Sequence, residues 1–174
     1  FEKQVSYLND HPSVGLVGTQ IEWVDRDGTL VRRFDYPTDS PSIVKRLESK
    51  NSFGHGSVMF RREILDQIGA YREAFRLAQD YDLWLRLAEK YRVANLPETL
   101  YQMRFSAGMA SVSRNTEQAA YAQLARQLAA ERAQHGSEQT DVEQAAGAIA
   151  RRYNRKDPIS RRIERAKNMV NWAE

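Results

Sequence analysis

The stretch from Ala78 to Leu87 most constrains the fold of this chain, because it predicts where a helix begins and which side of it is buried. Its letters are AQDYDLWLRL, so two aspartates open the helix and a tryptophan follows them. Helical spacing places a set of apolar residues on one face, namely Leu83, Trp84, Leu87, Ala88 and Tyr91. We therefore predict a helix from about Asp80 to Tyr91 that turns this face toward a core.

The residues around this helix alternate between strand and helix signals. The chain opens with a helical pattern over residues 1–10, which the breaker Asp10-His11-Pro12 ends. Strands are predicted at 14–19, 57–61, 93–94 and 99–105, and helices at 42–50 and 62–68. Ser40-Pro41 predicts a cap followed by proline at the first helical position. This order of strands and helices predicts an α/β layered domain.

The tetrapeptide Asp25-Arg26-Asp27-Gly28 has two interpretations. Two aspartates one residue apart can hold a metal ion. Asp-Gly also tolerates the positive φ of a tight turn, and apolar runs flank it on both sides. We favour a β-hairpin over residues 20–34, because the metal match rests on two carboxylates alone.

Beyond Ser113 the sequence changes to helix formers. Helices are predicted over 116–134, from a capping box at Thr140-Asp141-Val142-Glu143 to about Tyr153, and again from Asp157-Pro158. We therefore divide the chain into an α/β region, 1–114, and a C-terminal helical appendage, 115–174. The sequence has no cysteine, which excludes disulfides, a thiolate nucleophile and a cysteine-ligated zinc.

The net charge of +3 conceals a basic C-terminus. Residues 151–174 carry eight Lys or Arg against three Asp or Glu, so this part is +5 and the remainder is −2. Three interpretations stay open for its last helix, 158–172. It is a solvated helix docked through its apolar stripe, a helix lying on a membrane surface, or a nucleic-acid site. We do not expect nucleic acid, because aromatic residues are few there and no binding motif is present.

The stretch Gln79–Leu87 resembles the signature E-D-x-D-L-W-x-R-L of inverting GT-A glycosyltransferases of family two. Four further stretches are similar to segments of that family and occur in its order: Phe1–Thr19, Gly54–Arg62, Ile68–Arg72 and Ala94–Tyr101. The resemblance covers residues 1–114 and implies a partial GT-A, Rossmann-like domain. It also implies transfer of a sugar from a nucleotide-sugar donor to a hydroxyl acceptor, with inversion.

The resemblance implies roles for the residues that open the helix. Asp80 is implied to be the general base, whereas its place at a helix start by itself favours an N-cap. Gln79 stands where the family usually has glutamate, and its amide can hydrogen-bond a sugar. Asp82 and Arg86 are four residues apart, a spacing that lets them pair on one helix face and stiffen it.

Three further residues are candidates for substrate binding. Trp84 either offers a ring to a sugar or packs in the core. His55 lies between two glycines, which allow a ligand to approach the backbone closely, and otherwise makes a local hydrogen bond. The segment Tyr101–Arg104 is similar to the family's Y-R-x-H ending, and Arg104 either pairs with a phosphate or is structural.

The nucleotide-sugar half of the family, with the Asp-x-Asp that holds Mg²⁺ or Mn²⁺, has no counterpart in this sequence. We therefore expect the chain to be the acceptor-side part of an intact enzyme, with the metal ligands mostly elsewhere, and to be inactive alone. A sheet cut at that point has an open edge, which predicts self-association or association with the missing half.

Other functions stay open. The chain is alternatively a non-catalytic interaction module derived from such a domain, or a basic protein that binds a membrane surface or nucleic acid. No apolar run is long enough to span a bilayer. We expect a cytoplasmic protein, with 158–172 as a candidate contact to the cytoplasmic face of the membrane.

Overall fold

The computed structural model describes residues 1–105 and 114–154 of the 174-residue chain. The helices of this part are α1 (Glu2–Asp10), α2 (Ser40–Leu47), α3 (Glu63–Ile68), α4 (Gln79–Ala88), α5 (Asn115–His135) and α6 (Val142–Asn154). The strands are β1 (Val14–Val24), β2 (Leu30–Phe34), β3 (Met59–Phe60) and β4 (Arg92–Arg104), and a 3₁₀ turn spans His55–Ser57. The described residues form two compact units: Phe1–Ala70 with Leu83–Phe105, and Tyr71–Asp82 with α5 and α6.

Strand β1 organises the four-stranded sheet of the first unit, because it pairs with each of the other strands. Its N-terminal half is antiparallel to β3, with Leu16 opposite Phe60, and its C-terminal half is antiparallel to β2, with Ile21 opposite Phe34. β4 runs parallel to β1 along most of its length. A parallel pair needs a crossover connection, which the helices between β1 and β4 supply. Strands and helices in this order confirm the predicted α/β class.

One part of the core of the first unit lies between α1 and the sheet. This cluster consists of Leu8, Val14, Val17, Ala94 and Leu96. Full burial of one such apolar side chain contributes about 1.5–3 kcal/mol. Gln4 is buried beside this cluster, and its Nε2 donates to the carbonyls of Val17 at 3.2 Å and Ser57 at 2.8 Å. One amide therefore ties α1 both to β1 and to the 3₁₀ turn.

The connection between β1 and β2 is the predicted hairpin. Gly28 has a φ of +85°, which glycine adopts without a steric penalty. Oδ1 of Asp25 accepts the backbone N–H groups of Asp27 at 2.9 Å and of Thr29 at 2.8 Å. The turn thus uses the Asp25 carboxylate, as the favoured interpretation requires.

Two helix caps lie one residue away from their predicted positions. Asp39 caps α2, since its Oδ1 accepts the backbone N–H of Ser42 at 2.9 Å. Asp141 accepts the backbone N–H of Gln144 at 3.0 Å at the start of α6. Thr140, predicted as that cap, instead donates its hydroxyl to Glu131. In both places the carboxylate of a neighbouring aspartate accepts the helix N–H in place of the predicted hydroxyl.

The elements from α3 and β3 to β4 follow the prediction with two changes. α3 ends at Gly69, whose φ of +78° closes the helix as expected. β3 is only two residues long and half-buried, shorter and more exposed than the strand predicted at 57–61. The segments predicted as strands at 93–94 and 99–105 join in β4, because both lie along the continuous edge of β1.

The second unit is built around the side chains of α5. Tyr121 and Leu128 are fully buried, and the Tyr121 ring lies 5.8 Å from that of Phe75. The Tyr121 hydroxyl also donates to the carbonyl of Ala146 at 3.4 Å. The third helix predicted from Asp157, with the candidate membrane contact at 158–172, lies outside the described residues. Among the described helices, none combines the length and apolar character needed to cross a bilayer.

Glu131 holds the connection between α5 and α6. Its carboxylate accepts the backbone N–H groups of Gln139 at 2.8 Å and Thr140 at 2.9 Å, the Thr140 hydroxyl at 2.6 Å and the Gln127 amide at 3.0 Å. These bonds, led by that from the Thr140 side chain, lower the pKa of Glu131 from 4.5 to about 2. The ionised form is favoured because each donor stabilises the negative charge.

We expect Glu131 to make the second unit sensitive to acid. Because its pKa is lower in the folded state, its contribution is complete above pH 4.5 and is lost as the pH falls toward about 2. Glu131→Gln should flatten the dependence of unfolding on pH in that window. Thermal unfolding between pH 2 and 6 measures it, and Glu143→Gln, at an exposed carboxylate on α6, is the control. Equal slopes for the two variants would refute the assignment.

Candidate functional site

Helix α4 starts from a strained residue. Ala78 immediately precedes it and has a φ of +55°, the one non-glycine residue of the described chain with positive φ. The left-handed region costs a residue with a Cβ about 1–2 kcal/mol. The carbonyl of Ala78 nevertheless accepts the backbone N–H of Asp82 at 3.1 Å, so it begins the helical hydrogen-bond series. Such strain concentrates at functional sites, where the surrounding structure fixes the conformation.

Asp80 lies in the first turn of α4 and is half-buried. The helix begins at Gln79, so Asp80 is inside it and not at the N-cap position that its residue type favours. Its Oδ1 accepts the backbone N–H of Tyr81 at 2.9 Å. A carboxylate in the first turn is favoured by the positive end of the helix dipole. Gln79 precedes it and is also half-buried.

Tyr71 reports on the charge of Asp80. Burial raises the pKa of Tyr71, and the negative charge of Asp80 raises it further. The side chain is nevertheless 42% exposed, so its phenol can be titrated from solution. Both residues belong to the second unit. Tyr71 was part of the segment Ile68–Arg72 that resembles the family, but nothing in the sequence pattern distinguished it as a neighbour of Asp80.

Each of the two residues predicted to stiffen α4 also contacts a residue outside the helix. In the second unit, Asp82 is fully buried and its Oδ2 lies 3.6 Å from Nε of Arg72. In the first unit, Arg86 donates to the three consecutive carbonyls at the end of α3, those of Ile68 at 2.6 Å, Gly69 at 3.1 Å and Ala70 at 2.9 Å. Both side chains therefore fix α4 to the preceding segment, residues 68–72.

Trp84 is a core residue in the first unit. It is 0% exposed, and its ring makes edge contacts with Phe53 at 6.1 Å, Phe60 at 5.9 Å and His55 at 6.3 Å between centroids. A ring covered in this way has no face for a sugar. The interpretation of Trp84 as a stacking platform is therefore replaced by core packing, with the Trp84 ring in contact with that of His55.

His55 is the exposed member of this contact. It opens the 3₁₀ turn His55–Ser57, and its ring stands at 76° to that of Trp84. Ser57 closes the turn, donating both its backbone N–H, at 2.8 Å, and its hydroxyl, at 2.9 Å, to the carbonyl of Gly54. The turn thus holds the imidazole on Trp84 with the ring accessible to solvent.

The glycines around His55 are required by the protein itself. A Cβ at Gly54 would lie 2.9 Å from the side chain of Ile21, and one at Gly56 would lie 2.3 Å from Oη of Tyr101. Their small size therefore lets β1 and β4 approach the turn. The predicted close approach of a ligand to this backbone is untested.

We expect Gly56→Ala to destabilise the first unit by about 1–3 kcal/mol, because the added methyl displaces the Tyr101 ring from the turn. Urea denaturation of the variant measures the loss. Gly147→Ala, inside α6, is the control, since its Cβ would meet only the flexible end of Arg151 at 3.2 Å. Alanine there should stabilise by about 0.5–1 kcal/mol. A neutral Gly56→Ala would mean that Tyr101 does not constrain the turn.

Arg104 is the last residue of β4 and is exposed. It pairs in register with Val24 at the end of β1, next to the hairpin. This position leaves the guanidinium accessible, and its role toward a phosphate stays a prediction.

The described residues do not assemble a metal site. Within 1–105 and 114–154, no group of three or more His, Asp or Glu side chains is arranged to hold a metal ion. The one aspartate pair that suggested a site contributes Asp25 to a turn. We therefore assign no metal ligand to these residues.

Comparison with known proteins finds relatives that are named glycosyltransferases. No protein-family model matches it. It is 35% identical over 115 residues to the amylovoran biosynthesis glycosyltransferase AmsE of Erwinia amylovora, covering 66% of this chain and 42% of that protein. An uncharacterized glycosyltransferase of Haemophilus influenzae is 33% identical over 121 residues, 68% of this chain and 44% of that protein. The O-antigen biosynthesis glycosyltransferase WbnJ of Escherichia coli is 33% identical over 106 residues, which cover 59% of this chain and 41% of that protein.

The chain spans less than half the length of these curated relatives, 41% to 44%. Their names support a glycosyltransferase function in general. The mixed α/β fold is shown directly by the structure.

Proposed function

We propose that this chain supplies the acceptor-side part of an inverting glycosyltransferase of the GT-A, family two type. The complete enzyme would move a sugar from a nucleotide diphosphate to a hydroxyl acceptor. The observation that carries the proposal is the half-buried carboxylate of Asp80 in the first turn of α4. This helix begins directly after the strained Ala78, and the chain is similar to glycosyltransferases.

Asp80 is the general base of this proposal. Its carboxylate takes the proton of the acceptor hydroxyl while the hydroxyl oxygen attacks the anomeric carbon. The bond from that carbon to the diphosphate oxygen breaks, and the nucleoside diphosphate leaves with the electron pair. Attack on the face opposite the leaving group inverts the anomeric centre. A positioned base of this kind typically contributes about 10²- to 10⁴-fold in rate.

Other residues bind and orient in this scheme. His55 is exposed, held on Trp84, and has ring nitrogens that can hydrogen-bond a sugar hydroxyl. Gln79 offers an amide beside Asp80 in the chain. Arg104 is a permanent cation that suits the negative charge developing on the departing diphosphate.

Mg²⁺ or Mn²⁺ would neutralise the diphosphate in the complete enzyme. We propose that its ligands lie mostly outside this chain, because the family's Asp-x-Asp has no counterpart in the sequence, and we derive no step through the metal. A cytoplasmic location, self-association and contact of 158–172 with a membrane surface stay predictions of the same proposal.

The test uses the complete protein that contains this chain. It is incubated with UDP-, GDP- and dTDP-sugars and with free and lipid-linked sugar acceptors, and nucleoside diphosphate release is measured. The anomeric coupling constant of the product, read by proton NMR, gives the stereochemistry. We expect acceptor-dependent release and an inverted product. Retention of configuration would overturn the mechanism, and binding of nucleotide sugar without turnover would favour a non-catalytic module.

A further inference from the structure

The segment that carries the candidate base belongs to the same compact unit as the C-terminal helices. Residues 71–82 form one unit with α5 and α6, although about 30 residues separate the segment from α5 in sequence. Two ring contacts join them. Phe75 lies 5.8 Å from Tyr121, and the guanidinium of Arg126 lies 6.0 Å from the ring centre of Tyr81, the residue after Asp80. The start of α4 is thus packed on α5.

An ion-pair chain makes a third connection. Arg72 lies between two carboxylates: its Nε is 3.6 Å from Oδ2 of the buried Asp82, and its Nη2 donates to Oε1 of Glu138 at 2.6 Å. Arg132 of α5 also donates to Oε1 of Glu138. Two guanidinium groups and two carboxylates therefore alternate from α4 to the connection between α5 and α6.

The charges of this chain support one another. Burial acts to raise the pKa of Glu138, but hydrogen bonds from Arg72 and Arg132 outweigh it, and the pKa is lowered. Asp82 is fully buried, and burying a carboxylate is costly without a close cation. Removing Arg72 would leave Asp82 without this ion pair and would break the link to Glu138.

We propose that Arg72 is a positioning residue for Asp80, acting through Asp82 and Glu138. The importance of this positioning role for catalysis rests on the proposed function of Asp80 as the base. Asp80 and Asp82 lie in the same helical turn, so an anchor on Asp82 fixes the direction in which Asp80 projects. The C-terminal helical pair, α5 and α6, is then part of the structure that holds the base. Of the two carboxylates in the signature, Asp80 reacts and Asp82 anchors the helix.

The test measures the electrostatic effect of Asp80 on the pKa of Tyr71, without any substrate. The complete protein is labelled with 3-fluorotyrosine, which lowers phenol pKa values and so allows titration at milder pH. The Tyr71 resonance is assigned with Tyr71→Phe. In the otherwise native protein, Asp80→Asn should lower the pKa of Tyr71, because the negative charge that raises it is gone.

The same substitution is then made in Arg72→Gln and in Glu138→Gln backgrounds. If Arg72 positions Asp80, the effect of Asp80→Asn on the Tyr71 pKa should shrink by at least about half in each background. Comparing the proteins with and without Asp80→Asn inside one background cancels the direct effect of the lost Arg72 charge. Arg114→Gln, which breaks the 2.7 Å ion pair with Glu117 in the same unit, is the matched control and should leave the effect unchanged.

The outcomes separate the two proposals. An undiminished Asp80 effect in either folded background overturns the positioning role, whether or not the enzyme turns over. If Arg72→Gln does not fold, the decision rests on Glu138→Gln, which keeps Arg72 and removes only the negative charge that links it to the helices. A diminished effect in a protein without transferase activity supports the positioning geometry and overturns only the proposed function.

Discussion

Asp80→Asn should lower the kcat of the complete enzyme by about 10²- to 10⁴-fold while changing KM little. Asparagine keeps the shape of the side chain and its ability to accept the Tyr81 N–H, but it cannot take a proton at neutral pH. The loss should therefore appear in the chemical step. Steady-state kinetics with the nucleotide sugar that the complete protein turns over, at saturating acceptor, provide the measurement.

Asp66→Asn is the matched control for this substitution. Asp66 is an exposed aspartate on α3. The substitution Asp66→Asn should leave kcat within about twofold, because Asp66 has no part in the proposed chemistry. Near-UV circular dichroism must show that both variants are folded. If Asp80→Asn and Asp66→Asn retain equal activity, Asp80 is not the base, and the carboxylate serves only the start of α4.

Trp84→Ala should cost about 3–5 kcal/mol of unfolding free energy. The indole is fully buried and touches Phe53, Phe60 and His55, so alanine leaves a cavity beneath the 3₁₀ turn. Single domains are typically stable by about 5–15 kcal/mol, so the loss is a large part of the total. Urea denaturation of the native protein and of Trp84→Ala gives the value, with one common slope for the dependence of the unfolding free energy on urea concentration.

Trp84→Phe separates the effect of volume from that of polarity. The indole N–H has no hydrogen-bond partner among the described residues. Phenylalanine therefore removes an unsatisfied donor as well as some packing, and the net cost should be about 1 kcal/mol. Val44→Ala, at a side chain 39% exposed on α2, should cost less than about 0.5 kcal/mol. A Trp84→Ala cost similar to that of Val44→Ala would contradict the packing role and restore an exposed, sugar-facing ring as the alternative.

The local elements were predictable because their causes lie within a few residues of each other. The hairpin at Gly28 follows from the φ that Asp-Gly permits, and the end of α3 follows from Gly69. The start of α4 was predicted to within one residue from the two aspartates that open it. The caps at Asp39 and Asp141 were missed by one position, because neighbouring polar residues compete for the same N–H groups and only the backbone geometry selects between them.

The candidate site was predictable in part. The resemblance nominated Asp80, Gln79, His55 and Arg104, and each is at least partly accessible. It also nominated Trp84 as a ring for a sugar, although helical spacing already favoured core packing. The complete burial of the ring shows that it packs in the core. Gly54 and Gly56 were linked to a ligand, yet the close neighbours that the structure shows are Ile21 and Tyr101.

The sequence by itself determined the class of fold, the order of its elements and the residue nominated as base, since these depend on periodicity, turn chemistry and local resemblance. Only the tertiary structure decided that residues 71–82 group with the C-terminal helices and that Arg72 links Asp82 to Glu138. Arg72 and Glu138 are 66 positions apart. No local pattern encodes such a pair, because it forms only when burial of the whole chain brings distant charges into contact.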